Sequence, residues 1–157
     1  MILEKLSYGN AEKCLSMNLE ESQKSCVASN ALSLAHAFLA LEEGNMIPLP
    51  FLVKVGNEFV GFMILSYCRA DSTQPEQKDA YCIWRVMIDK QFQGKGYGKR
   101  AVNEAIELAK GGLAGRADSI VLFVEPENHA AIKLYKSCGF SETNESIDGQ
   151  IKYVREL

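Results

Sequence analysis

Three alternating glycines constrain the fold of this chain more than any other feature. They lie in the segment Gln93-Gly94-Lys95-Gly96-Tyr97-Gly98-Lys99, between an apolar run typical of a strand and an amphipathic pattern typical of a helix. Glycine lets the backbone come close to a ligand, and the free amides at a helix N-terminus attract anions. The segment therefore predicts a strand, a phosphate-binding turn and a helix in succession.

The spacing of the glycines narrows the kind of nucleotide. A P-loop needs GxxxxGK followed by Ser or Thr, and the residues from Gly94 to Arg100 do not provide this. A dinucleotide fingerprint needs GxGxxG, but Lys99 stands at the third glycine position. Kinases, ATPases and nicotinamide enzymes are therefore disfavoured. The simplest alternative is that the glycines only make a tight turn between strand and helix.

Hydrophobic periodicity elsewhere predicts an α/β domain with a mixed sheet. Strands are expected at 2–7, 51–55, 58–67, 81–88 and 120–124, with a last hairpin turning at Asp148-Gly149. Helices are expected at 10–17, 22–43, 98–110 and 128–138. The polar residues 69–79 are expected to form a loop that borders the substrate site.

Two of the helices have apolar positions at helical spacing, which predicts the faces that pack on the sheet. In the second helix these residues are Ala31, Leu34, Ala35, Phe38 and Leu41. In the third helix they are Val102, Ala105, Ile106 and Ala109.

Composition limits the class of protein. The 157 residues, 47% of them hydrophobic, fit one domain over 1–157, and the net charge of −3 lacks the basic excess of nucleic-acid-binding proteins. Five cysteines without a CxxC pair indicate reduced thiols and no zinc site. Neither a signal peptide nor a run of roughly 20 apolar residues is present, so a cytoplasmic protein outside the membrane is expected.

Two segments together resemble the GNAT family of N-acetyltransferases. The strand Val86-Met87-Ile88-Asp89 followed by Gln93 to Gly98 resembles that family's Q/R-x-x-G-x-G/A coenzyme A motif. The segment from Asn128 to Phe140 resembles the motif that follows it, and element order extends the likeness over 51–157. The resemblance implies a mixed sheet of about six to seven strands with about four helices, acetyl-CoA as cosubstrate, no metal, and a homodimer.

The resemblance also implies which residues hold acetyl-CoA. The strand residues bind the pantetheine arm, and the backbone amides of the glycine turn bind the pyrophosphate. These residues are Val86, Met87 and Ile88 for the arm, and Gln93, Gly94, Lys95, Gly96, Tyr97, Gly98 and Lys99 for the phosphates. Asn128 is expected to contact the coenzyme arm, to cap the following helix with its side chain, or to do both.

Tyr135 is the predicted general acid. It lies seven residues after Asn128, about two helical turns, so it faces the same ligand. A tyrosine hydroxyl at this place would protonate the departing thiolate after an amine attacks the thioester. The alternative is a tyrosine that only fills the core.

The sequence does not single out the general base or the acceptor residues. Carboxylates next to the segments expected to border the acceptor are Glu42, Glu43, Asp71 and Asp79, and each of them is alternatively a surface charge. His36 and His129 are isolated and are expected to be structural or exposed.

The nearest resemblance within the family is to bacterial spermine/spermidine acetyltransferases, which implies a polyamine acceptor. Acidic groups would hold its ammonium groups, and Tyr81 or Trp84 would line its methylene chain. The alternatives are another acceptor, such as an aminoglycoside, an amino acid or a protein amine, or a non-catalytic module that senses acyl-CoA.

Overall fold

The computed structural model describes residues 1–44, 46–70, 73 and 78–157, so Asp71 lies outside the described residues. The strands within these ranges are β1 (Ile2–Lys5), β2 (Met46–Val55), β3 (Glu58–Cys68), β4 (Ala80–Ile88), β5 (Ser119–Val124), β6 (Ser141–Ile147) and β7 (Gln150–Glu156). The α-helices there are α1 (Ala11–Ser16), α2 (Asn30–Glu43), α3 (Tyr97–Lys110) and α4 (His129–Ser137). None of the described helices combines the length and the apolar character needed to cross a bilayer.

The strands form one mixed sheet in the order β1-β2-β3-β4-β5-β7-β6. This confirms the predicted fold class, a mixed sheet of about seven strands with four helices. Of the pairings between described strands, only that of β4 with β5 is parallel, and α3 crosses between them. The other neighbours are antiparallel, including the predicted hairpin of β2 and β3 around Gly56-Asn57.

The parallel pair opens partway along its length. β4 and β5 are paired from Ala80 and Ser119 to Cys82 and Val121. Beyond this point β4 continues to Ile88 while paired only with β3, and β5 continues to Val124 while paired only with β7. The carboxyl ends of the two strands therefore diverge, and α3 and α4 begin beside the opening. Crevices outside the carboxyl ends of parallel strands commonly bind ligands.

A β-bulge interrupts β4 in the same region. Ile64 of β3 pairs with Arg85, but the next residue, Leu65, pairs with Ile83, so Trp84 is the extra residue. A bulge changes the alternation of side chains along a strand. As a result Trp84 and Arg85 lie side by side, with the guanidinium carbon 5.2 Å from the centre of the indole.

Helix α3 packs on the sheet through the predicted face. Val102, Ala105, Ile106 and Ala109 are all buried, which confirms that prediction. They join one core with residues of the central strands, such as Leu65, Tyr81 and Leu122. This packing fixes the N-terminal end of α3 next to the opening between β4 and β5.

The prediction for the second helix was wrong in its start and in its face. The helix begins at Asn30 rather than at 22, after a short 3₁₀ turn at Glu21–Gln23. Its buried residues are Asn30, Ser33 and Ala37, whereas Ala31, Ala35, Phe38 and Leu41 are exposed and Leu34 is half-buried. Asn30, at the start of the buried face, donates a hydrogen bond from Nδ2 to the carbonyl of Cys14 in α1 (2.8 Å).

Candidate active site

A cavity of about 770 Å³ lies beside the carboxyl half of β4, at the N-terminal ends of α3 and α4. It brings together almost all the residues predicted to hold the coenzyme. Those that line it are Val86, Met87, Ile88, Gln93, Gly94, Gly96, Tyr97, Gly98, Lys99 and Asn128. Lys95 does not line the cavity, and its ammonium group lies over the ring of Phe92 (5.5 Å).

The glycine turn has the geometry of an anion site. Gly94 and Gly96 have φ values of 76° and 75°, and a Cβ atom at either position would meet no protein atom within 4 Å. Gly96 is the N-cap of α3 and offers no side chain, and the first hydrogen bond of the helix runs from the amide of Arg100 to Gly96. The amides before Arg100 are therefore available to a ligand, and the turn fits a pyrophosphate.

The side chain of Gln93 holds this turn against the neighbouring elements. Its Nε2 donates hydrogen bonds to the carbonyl of Ile88 (2.9 Å) and to Oε1 of Gln23 (2.8 Å). Gln23 lies 70 residues earlier, and its own Nε2 donates back to Oε1 of Gln93 (3.1 Å). The 3₁₀ turn that contains Gln23 thereby forms one wall of the cavity. No pattern in the sequence indicates this contact, because it depends on how the N-terminal region packs.

A second cavity of about 730 Å³ lies on the other side of the opening between β4 and β5. It is bordered by the bulge of β4, the end of β5, residues 24–28 and the turn between β6 and β7. The two cavities share the lining residues Cys26, Val27, Val86, Asn128, Ala131 and Tyr135. They therefore meet at α4, where Tyr135 borders both.

Tyr135 has the environment of a proton donor. Only 8% of the residue is exposed, and its ring packs edge-on against Phe140 (6.0 Å between ring centres). Its hydroxyl makes no hydrogen bond with another described residue. Burial raises the pKa of Tyr135 well above its usual range, with a further contribution from the neighbouring Cys82 and Cys138. The phenol therefore stays protonated at neutral pH.

Asn128 combines the two roles considered for it. Its Oδ1 accepts a hydrogen bond from the amide of Ala131 (3.2 Å), so the side chain caps α4. At the same time the residue lines both cavities. The cap fixes the first turn of α4, and Tyr135 lies two turns further along the same helix.

Of the described residues expected to bind the acceptor, only Trp84 lines the second cavity. Tyr81 is fully buried elsewhere, where its hydroxyl donates to Gly115 and accepts from the amide of Ala114 (both 2.9 Å). Asp79 accepts hydrogen bonds from the hydroxyl of Tyr67 and the amide of Ala70, and it lines neither cavity. Glu42 and Glu43 are exposed at the end of α2, away from both linings.

Four charged residues of the second cavity were not predicted. They are Lys24, Arg85, Glu125 and Asp148. Glu125 directly follows β5, a position that the sequence could have indicated, and its Oε1 accepts a hydrogen bond from Nε2 of Gln150 (2.9 Å). Arg85 lies in an otherwise apolar strand, so its place in the cavity lining becomes evident only from the bulge. No grouping of three His, Cys, Asp or Glu residues suited to a metal occurs among the described residues.

Proteins of known sequence and fold are similar to this chain. An uncharacterized N-acetyltransferase of Methanocaldococcus jannaschii is 34% identical over 107 residues, which cover 68% of this chain and 45% of that protein. The N-alpha-acetyltransferase RimI of Mycobacterium tuberculosis is 33% identical over 85 residues, 54% of this chain and 47% of that protein. The chain thus spans less than half of the length of these relatives.

A crystal structure of a spermidine N-acetyltransferase from Vibrio cholerae, in complex with CoA and spermine, has a similar fold. The TM-score is 0.65 at 17% identity, with 99% of this chain and 93% of that chain covered. At this identity the likeness concerns the fold alone.

The family model described as the acetyltransferase (GNAT) family matches residues 17–140. This match includes the glycine turn, both cavities' shared residues and Tyr135. It confirms the family that the two sequence motifs predicted. The chain belongs to the acetyltransferase (GNAT) family.

Proposed function

We propose that this chain is an acetyl-CoA-dependent N-acetyltransferase that acts on a primary amine. The observation that carries the proposal is the meeting of two cavities at Tyr135. The first cavity has a glycine turn suited to pyrophosphate, and the second has charged groups suited to a polar acceptor. Bound acetyl-CoA supplies the thioester whose acyl group is transferred.

The residues at the junction have separate tasks in this proposal. Gly94, Gly96 and the first turn of α3 bind the phosphates through backbone amides. Tyr135 holds a proton at its hydroxyl and donates it to the leaving thiolate. Asn128 positions Tyr135 by capping the helix that carries it.

The test is thiol release from acetyl-CoA by the purified protein, with a Tyr135→Phe variant. Phenylalanine keeps the ring contact with Phe140 but removes the proton, so turnover should fall by about 100-fold or more. Acetyl-CoA binding, measured by calorimetry, should change little.

Tyr153→Phe is the matched control, since Tyr153 is equally buried but its hydroxyl bonds to Glu142 outside both cavities. Unchanged turnover in Tyr135→Phe would remove the general-acid role. Tight binding of acetyl-CoA without turnover on any amine would favour a sensing module instead.

A polyamine is one candidate acceptor within this function. The carboxylates of Glu125 and Asp148 could hold ammonium groups, and Trp84 offers an aromatic wall for methylene groups. The similar fold from Vibrio cholerae belongs to a spermidine N-acetyltransferase, whereas the Mycobacterium tuberculosis relative is an N-alpha-acetyltransferase. A panel of spermine, spermidine, an aminoglycoside, amino acids and short peptides would identify the acceptor. Turnover restricted to other amines would exclude the polyamine.

Three further expectations stay predictions: one domain over 1–157, a cytoplasmic location and a homodimer. For the homodimer, α2 exposes Leu32, Phe38 and Leu39, a surface of the kind that a second copy covers. Sedimentation measures the assembly directly. A monomer at micromolar concentration would contradict the homodimer.

A further inference from the structure

Arg85 is the one charged residue among those of β4 that line the second cavity. The bulge at Trp84 places its side chain beside the indole, and Nη1 donates a hydrogen bond to the carbonyl of Trp84 (2.8 Å). These two contacts hold the guanidinium in one orientation. Since Arg85 also lines the cavity, this orientation is presented to whatever occupies it.

The guanidinium has few partners for a half-buried cation. Its Nε is buried without a hydrogen-bond partner, and no carboxylate among the described residues forms an ion pair with it. Burial lowers the pKa of Arg85. The Cys82 thiol opposes this effect, and no Asp or Glu side chain contributes. A buried donor without an acceptor is unfavourable, and a guanidinium is built to bind a carboxylate through two parallel hydrogen bonds.

We propose that Arg85 binds an anionic oxygen group of the acceptor, so that the preferred substrate is a primary amine that also carries a carboxylate. The inference rests on the proposed acetyl transfer and specifies its substrate class. In this proposal the amine lies toward Tyr135, because Tyr135 also borders the first cavity, and the carboxylate lies toward Arg85. Glu125 and Asp148 also line the second cavity.

This arrangement is less suited to a polyamine. A polyamine carries only positive charges, and it would lie beside the unpaired cation of Arg85 and beside Lys24. Lys24 forms an ion pair with Glu21. No carboxylate of the described residues forms an ion pair with Arg85. A substrate carboxylate would satisfy the guanidinium, whereas another cation would be repelled.

The experiment compares amines that differ only in a carboxylate. Ornithine is compared with putrescine, and lysine with cadaverine, by thiol release from acetyl-CoA with the unaltered protein. A peptide amide beginning with aspartate is compared with one beginning with asparagine. We expect kcat/KM to favour the carboxylate member of at least one pair by about 10- to 100-fold. The pair that shows the preference tells whether the carboxylate comes from a free amino acid or from a peptide.

Variants assign the preference to Arg85. Arg85→Met should raise KM for the carboxylate member, leave kcat nearly unchanged and bring the ratio within each pair close to one. Arg85→Lys should keep part of the preference, since it retains the charge but loses the planar fork. Arg116→Met is the matched control, because Arg116 is exposed and lines neither cavity, and it should keep the full preference.

Three outcomes would overturn the inference. Thiol release that is equal within every pair excludes a carboxylate site, and it leaves the acetyltransferase proposal intact. A preference that persists in Arg85→Met assigns the carboxylate to another residue. No thiol release with any amine overturns the proposed function and this inference together. If Arg85→Met does not fold, Arg85→Lys decides the assignment, because a full preference in that variant would exclude the guanidinium as the carboxylate's partner.

Discussion

Replacing Gly96 by alanine separates ligand binding from backbone strain at the glycine turn. Gly96 has a φ of 75°, in the left-handed region, and an added Cβ would meet no protein atom within 4 Å. The protein itself therefore has room for a methyl group at this place. The only steric conflict would be with a ligand that approaches the backbone closely.

The left-handed φ and the open space around Gly96 allow both effects to be given an approximate size. An alanine in the left-handed region costs about 1 to 2 kcal/mol, which lowers the melting temperature of a chain of this length by about 2 to 8 °C. If the methyl group prevents one charge-assisted hydrogen bond from an amide to a phosphate, acetyl-CoA binding weakens by about 1.5 to 3 kcal/mol. This corresponds to a dissociation constant about 10- to 100-fold higher.

Gly56→Ala is the matched control. Gly56 has a φ of 59°, a Cβ there would likewise meet no protein atom, and the residue lies in the β2–β3 turn away from both cavities. Both variants should lose similar stability in a thermal melt, but only Gly96→Ala should lose affinity in calorimetry with acetyl-CoA. Unchanged affinity in Gly96→Ala would refute the phosphate role of the turn. Equal losses of affinity in both variants would trace the effect to destabilisation.

Two pH-dependent predictions follow from the buried and hydrogen-bonded groups. Burial raises the pKa of Tyr135 above its ordinary value of 10.0. The ratio of the turnover of the unaltered protein to that of Tyr135→Phe should therefore stay constant up to about pH 10. A pH–rate profile in which this ratio declines at lower pH would contradict a buried proton donor. Hydrogen bonds from the Ala70 amide and the Tyr67 hydroxyl lower the pKa of Asp79 in the folded protein. The ionised carboxylate therefore stabilises the fold at pH values above the pKa of Asp79 in the unfolded chain, and this contribution is lost as the pH falls through its pKa in the folded protein. Asp79→Asn should therefore unfold at lower denaturant concentration than the unaltered protein at pH 7, and the gap should narrow below about pH 4; an equal gap at both pH values would disprove the assignment.

Most of the residues that line the first cavity beside the glycine turn could be predicted from the sequence, because their determinants are local. Left-handed turns at Gly94 and Gly96 require glycine, and the cap at Asn128 acts within one helical turn. The apolar face of α3 was predicted correctly for the same reason, since helical spacing alone defines it. Such features are encoded by a few neighbouring residues and need no knowledge of tertiary packing.

The charged lining of the second cavity could not be predicted, because it depends on contacts between distant segments. Arg85 reaches the cavity through a one-residue shift in the pairing of β3 with β4, and no residue pattern reveals that shift. Asp148 arrives there from the last hairpin, and Lys24 from the N-terminal third. The error in α2 has a related cause. Its apolar residues suggested a buried face, but the opposite face lies inside, where Asn30 contacts Cys14 of the distant α1.

The divergence of β4 and β5 explains why the first cavity, with its locally encoded lining, meets the second cavity, whose lining comes from distant segments. From Ile83 to Ile88 the edge of β4 that faces β5 has no partner strand, although β3 pairs along its other edge. Backbone amides and carbonyls inside a protein need partners, and an unpaired edge that lines a cavity can accept an extended ligand as a further strand. The pantetheine arm that the family likeness assigns to Val86, Met87 and Ile88 would complete the sheet here. A ligand bound in this way would run from the glycine turn toward Tyr135, where the first cavity meets the second.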